Sequence, residues 1–247
     1  MRQFGSARSG VSDVIGSRRM KFLLTNDDGI AAPGLAALEA AAQRMGETLV
    51  VAPQLAHSGC SHTVTTNRPL TAKASGANRY FVDGTPADCV RLGLTKILPN
   101  CDWVLSGINS GANLGADLYI SGTAAAAREA AFLGKPAVAI SQYRRRDREI
   151  DWTITAEWAL CVLRDLVRRS IPAGSFYNVN LPHLDPGAST PTIVECPADT
   201  LPLPMAFREE GGAFHYEGVY HLRPRSPGGD VDNCFSGKIT VSLIKLG

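Results

Sequence analysis

The sequence is poor in charge and has no concentration of either sign. Only 19% of its 247 residues are charged, and the formal net charge is +2. A protein that grips nucleic acid by its phosphates normally shows a strongly basic face, so no nucleic-acid partner is expected. The one basic run, Arg144-Arg145-Arg146 with Arg148, is broken by Asp147 and reads first as a solvated loop. Long apolar runs are also missing, which excludes a membrane-spanning helix. No C-x-x-C pair occurs among the six cysteines, and no Cys/His cluster has zinc spacing. Cys89 and Cys161 lie in apolar stretches and are expected to be buried free thiols, which suits a reducing compartment, the cytoplasm. A G-x-S-x-G elbow is absent, which argues against a serine-hydrolase triad built on His57 or His62. Residues 1–19 are rich in Ser, Gly and Arg and lack an apolar core, so they are expected to be a disordered leader, or an upstream extension before a core that begins near Met20, rather than a secretory signal.

What is present is a regular alternation of short apolar runs and helical segments. Lys21 to Thr25 reads as a buried parallel strand, stopped by Asn26-Asp27-Asp28-Gly29. Pro33 then opens an Ala/Leu helix to Met45, which Gly46 is placed to end. Leu49 to Ala52 is the next strand. Thr85-Pro86-Ala87-Asp88 carries a capping-box pattern and starts a helix to about Leu98. Strands follow at 103–106, 137–140 and 177–181, with helices at 123–133 and, capped by Asp151, 152–169. This pattern predicts an α/β fold, a Rossmann-like doubly wound and mostly parallel sheet. The expected division is a leader at 1–19, a catalytic core at 20–184, and a C-terminal arm with a terminal strand at 185–247. Residues 185–235 read as irregular, with hairpins. Phe207, Phe214, Tyr216 and Tyr220 within them need a surface to bury against, which points to packing on another subunit.

Three segments carry chemistry. The carboxylates of Asp27 and Asp28 can converge only in a turn, where they repel unless a cation or proton neutralises them. A strand-end turn with Asx capping is the competing reading. Ser106 to Asn113 follows another buried strand, with glycines that admit a ligand and asparagines that offer neutral oxygens. Ser121-Gly122-Thr123 opens a helix, where backbone N–H groups and the helix dipole favour phosphate; an ordinary N-cap is the plainer reading. All three follow strands at their carboxyl ends, which share one edge of a doubly wound sheet. The donors are all oxygen, which favours Mg²⁺, Mn²⁺ or Ca²⁺ over zinc.

These segments resemble the SurE family of stationary-phase survival nucleotidases. The resemblance rests on Phe22 to Ile30, Val50-Val51-Ala52-Pro53, Gly84 to Val90, Ser106 to Asn109 with Gly111 and Asn113, Ser121-Gly122-Thr123, and Asn178 to Pro182. It implies a metal-dependent 5′/3′-nucleotidase acting on nucleoside monophosphates, with activity on short polyphosphate. It places the metal ligands at Asp27, Asp28, Ser58 and Asn109, and the phosphate contacts at Asn109, Ser121, Gly122 and Thr123. Asp27 and Asp28 are then the catalytic pair, and one Mg²⁺ or Mn²⁺ per subunit is the implied cofactor. Assembly as a homodimer or homotetramer through the arm is also implied. The sequence departs from the family at His57, at Ala124 and at the end, Ser242 to Lys245. A phosphatase of another small phosphomonoester, or a silent nucleotide-binding module, are the alternatives.

Overall fold

The computed structural model describes residues 18–145, 147–185 and 187–246. The expected leader therefore lies outside the described residues up to position 17. Strand β1 (Met20–Thr25) pairs in parallel with β2 (Gly46–Pro53) on one side and β5 (Trp103–Ser110) on the other. Beyond β2 lie β4 (Arg79–Val82), parallel, and β3 (Ala72–Ala74), antiparallel. Beyond β5 lie β6 (Ala137–Gln142) and β7 (Ser175–Leu181), both parallel. The chain moves outward from β1 on one side and then returns to build the other. The topological switch point therefore falls between β1 and β5, where ligands of doubly wound sheets bind.

Helices α1 (Pro33–Gln43) and α4 (Trp152–Leu166) cover one face, and α2 (Pro86–Leu92) and α3 (Gly122–Phe132) cover the other. Both cores are apolar: Phe22, Leu24, Leu38, Ile140 and Leu163 on one side, Leu23, Val51, Val90 and Phe176 on the other. The local signals act as read. Thr85 and Asp88 form the reciprocal capping box of α2, and one Asp151 oxygen accepts from the N–H groups of Thr153 and Ile154 at 2.9 and 3.1 Å. After Leu92 the helical path continues to Ile97 as a π turn.

Four local expectations change. Gly46 opens β2 instead of ending α1. A Cβ there would lie 2.2 Å from the Met20 carbonyl oxygen, so the residue is demanded by the approach of β1. Strand β5 does not stop at Ser106 but runs to Ser110, through a register shift against β6 between Ser106 and Asn109. Cys161 is exposed: it falls off the inward stripe of Ala159, Val162, Leu163 and Leu166, so an apolar neighbourhood in sequence did not bury it. Cys89 is buried. Finally, residues 185–235 hold a further strand and a helix beside the expected hairpin. They contain β8 (Ile193–Glu195), the hairpin of β9 (Phe207–Glu210) and β10 (Ala213–Tyr216), and helix α5 (Asp230–Phe235). The terminal strand β11 (Ile239–Lys245) pairs antiparallel with β7 and parallel with β8, which returns the chain to the main sheet.

Candidate active site

The turn after β1 is closed by Asn26, whose Nδ2 donates to the Gly29 carbonyl at 2.9 Å. This bend turns both aspartates toward the switch point. Asp27 is buried, at 5% exposure, and one of its oxygens accepts the Thr123 hydroxyl at 2.5 Å. Asp28 is half-buried, and its carboxylate accepts the Ser110 backbone N–H at 3.1 Å. Asp27 thus faces α3 and Asp28 faces the end of β5. Neither carboxylate forms an ion pair with a cationic side chain among the described residues. Burial pushes the Asp27 carboxyl up to about 6; Thr123 opposes the rise and the neighbouring Asp28 adds to it.

The start of α3 is built around that carboxylate. Ser121 caps the helix by accepting the Ala124 N–H at 3.0 Å. At Gly122 a Cβ would sit 2.7 Å from Asp27 Cβ and 3.0 Å from Cys60 Sγ, so only glycine permits this approach. Thr123 is fully buried and its hydroxyl is committed to Asp27. The helix terminus read from the sequence as a phosphate cradle therefore first holds the Asp27 carboxylate.

Ser58 lies on the loop after β2. That loop is pinned to the aspartate turn by the His57 N–H, which donates to the Asp27 carbonyl at 2.7 Å, and to the segment just before α3 by the Ser61 N–H, which donates to the Ile120 carbonyl at 3.1 Å. Ser58 itself is exposed. Asn109 sits on β5, and its Nδ2 donates to the Gly111 carbonyl at 2.7 Å, which leaves its Oδ1 as the free donor oxygen. The fold thus gathers Asp27, Asp28, Ser58, Asn109 and the 121–123 segment at one sheet edge.

Asn113, an expected participant, and His62, already read as outside any triad, are both engaged elsewhere. Asn113 turns inward: its N–H donates to Asn180, its amide to Ser141, and its carbonyl accepts from Asn178 and Asn180. His62 pairs with buried Glu129 at 2.8 Å, and Glu129 also holds Arg91 at 2.6 Å. That carboxyl stays below its usual range: burial opposes this, but His62 and Arg91 outweigh it.

The structure adds residues that sequence reading missed. Asp117 accepts the Leu114 N–H, and its own carbonyl accepts the Ser121 N–H, so it shapes the loop that delivers the α3 cap. Its carboxylate is held by buried Arg223 at 2.8 Å and by the Tyr220 hydroxyl at 2.5 Å. Asp230 accepts the Gly115 N–H from below at 2.8 Å. The arm therefore buttresses the loop before Ser121. Tyr220 packs on its own chain, contrary to the expectation that it would need another subunit. The x-x-x-Asp cap at Leu114–Asp117 was readable locally; its arm partners were not, being more than 100 residues away.

Fold and site together define a Rossmann-like α/β protein with an oxygen-lined, acidic centre at its switch point. Residues 22–196 match the family model described as Survival protein SurE, and the chain belongs to the SurE family. A relative in Synechocystis sp. is 49% identical over 227 residues, which span 92% of this chain and 100% of the relative. The 5′-nucleotidase SurE of Paramagnetospirillum magneticum is 38% identical over 90% of this chain and 88% of its own length. The crystal structure of the SurE protein from Aquifex aeolicus superposes with a TM-score of 0.80 at 32% identity, covering 92% of this chain and 94% of that one.

Proposed function

We propose that this chain is a metal-dependent 5′/3′-nucleotidase that hydrolyses nucleoside monophosphates to nucleoside and phosphate, with short-chain polyphosphate as a second substrate. One observation carries the metal dependence: a buried carboxylate stands beside a second carboxylate with no cationic side chain to balance them among the described residues. Two adjacent charges of one sign in a partly dehydrated site call for a cation. Asp27, Asp28, Ser58 and the free Asn109 oxygen offer only hard oxygen donors, which suits Mg²⁺ or Mn²⁺. Among the described residues no group of three or more His, Cys, Asp and Glu is placed to hold a metal, so the site depends on its neutral oxygens. Relatives named 5′-nucleotidase support the reaction class.

In this reading the metal supplies a lowered water pKa and neutralises charge developing on the phosphoryl group. Thr123 orients Asp27 through its hydroxyl, and the Ser110 N–H orients Asp28. The Ser121 hydroxyl, whose oxygen accepts the helix cap bond, keeps its own proton to donate to a phosphate oxygen. Attack of water on phosphorus forms a P–O bond and breaks the ester P–O bond, and the departing nucleoside oxygen takes the proton that the water gives up.

The β9–β10 hairpin is the proposed contact for a homodimer or homotetramer. Its residues are all exposed, with Phe207 and Phe214 at 55% and 70%, and a two-stranded hairpin is marginal alone. The cytoplasm is the proposed location. The six cysteines are free, and no described helix is long and apolar enough to cross a membrane. The test is phosphate release across a panel. Nucleoside monophosphates should exceed sugar phosphates by about tenfold or more in kcat/KM. Better turnover of sugar phosphates would replace the substrate class, and nucleotide binding without phosphate release would make the chain a binding module.

A further inference from the structure

We propose that the cavity between the ends of β6 and β7 and the C-terminal arm is the seat of the nucleobase, and that Arg144 joins it to the phosphate site. This deepens the nucleotidase reading and rests on it. The cavity has a volume of about 720 Å³, and Tyr143, Tyr220, Phe235, Arg144 and Arg225 line it. Its three aromatic rings form one cluster. Tyr143 and Phe235 stack with centroids 4.9 Å apart, and Tyr220 lies 6.0 Å from Phe235 and 6.4 Å from Tyr143. Tyr143 and Phe235 are only partly buried. The Arg225 guanidinium stands 5.5 Å from the Phe235 ring centroid. Flat rings beside guanidinium groups accept a base by stacking with little regard to its identity.

The cavity is tied to the aspartates by a short path. Asp28 accepts the Ser110 N–H, Ser110 pairs with Gln142 across one strand spacing of about 4.8 Å, and Tyr143 follows Gln142. A smaller cleft of about 340 Å³, lined by Asp28, Ser110 and Arg144, lies alongside, and Arg144 lines both spaces. Within the basic run, Arg145 and Arg148 are tied to Asp147 and Asp185. Arg144 is exposed and forms no salt bridge among the described residues, which leaves it for an anion between base and metal.

The experiment measures adenosine binding by calorimetry in chelator, separately from AMP turnover. Two variants are compared with the wild-type protein. Tyr143→Ala removes a ring, and Ser236→Trp fills the cavity from an exposed position without removing a core contact. Each should weaken adenosine about tenfold or more, and should lower the ratio of kcat/KM for AMP to that for ribose 5-phosphate by a similar factor. If Tyr143→Ala fails to fold, Ser236→Trp alone decides. Adenosine binding as tight in Ser236→Trp as in the wild-type protein would overturn the inference, even with AMP hydrolysis intact. Wild-type protein that binds adenosine in this cavity but releases no phosphate from AMP would instead overturn the nucleotidase reading.

Discussion

Replacing Asp27 with Asn separates two jobs of one carboxylate. The side chain keeps its size and keeps an oxygen to accept the Thr123 hydroxyl, but it loses its charge. Burial raises the Asp27 carboxyl from the ordinary 3.8 to about 6, which corresponds to about 3 kcal/mol of preference for the neutral form. Because the folded pKa is the higher one, the folded state binds the proton more tightly than the unfolded state. Stability of the metal-free protein therefore falls as pH rises from about 4 to about 6 and then levels off. In chelator at pH 7, Asp27→Asn should gain up to about 3 kcal/mol, and at roughly 2–4 °C per kcal/mol its Tm should rise by up to about 12 °C. The advantage should mostly vanish by pH 4. Turnover should meanwhile fall on the order of 100- to 1,000-fold, because one charge that stabilises the transition state is gone. Thermal unfolding in chelator at both pH values, paired with phosphate release from AMP, reads all of this. A variant less stable than wild type in chelator at pH 7 would refute the reasoning, because the carboxylate would then be a structural partner rather than a strained charge.

Gly122→Ala should fold, because the residue lies in the first turn of α3, yet lose most activity, because its Cβ would displace the Asp27 side chain from 2.7 Å; circular dichroism beside turnover checks it. Arg223→Met should leave buried Asp117 uncompensated and destabilise the protein by about 3–5 kcal/mol, measured by urea unfolding at pH 7. Deleting the exposed hairpin 207–216 should shift the solution mass toward monomer, measured by light scattering, while the main sheet stays intact.

The turn at Asn26 to Gly29, the box at Thr85 and Asp88 and the cap at Ser121 were legible because their chemistry is local: donors and acceptors lie within four residues. The switch point was legible because alternating strands and helices permit few topologies. What was hidden depends on distant contacts. Nothing near Thr123 tells that its hydroxyl is spent on Asp27, 96 positions away. Nothing near Arg223 or Tyr220 reveals Asp117 as their partner. The Gly-Ile-Asn-Ser stretch after Ser106 looks like a loop until β6 pairs with it past a bulge, and Cys161 looks buried until the inward stripe of α4 is known.

On the proposed function, the paired aspartates, Ser58, Asn109 and the start of α3 form one metal and phosphate centre. A crystal grown with Mn²⁺ and inorganic phosphate tests it most directly, through the anomalous signal of the metal. One manganese peak is expected in contact with the carboxylates of both Asp27 and Asp28 and with Asn109 Oδ1, with a phosphate beside it within reach of the Ser121 hydroxyl. A crystal in which manganese binds elsewhere while the Asp27–Thr123 hydrogen bond stands undisturbed would contradict it.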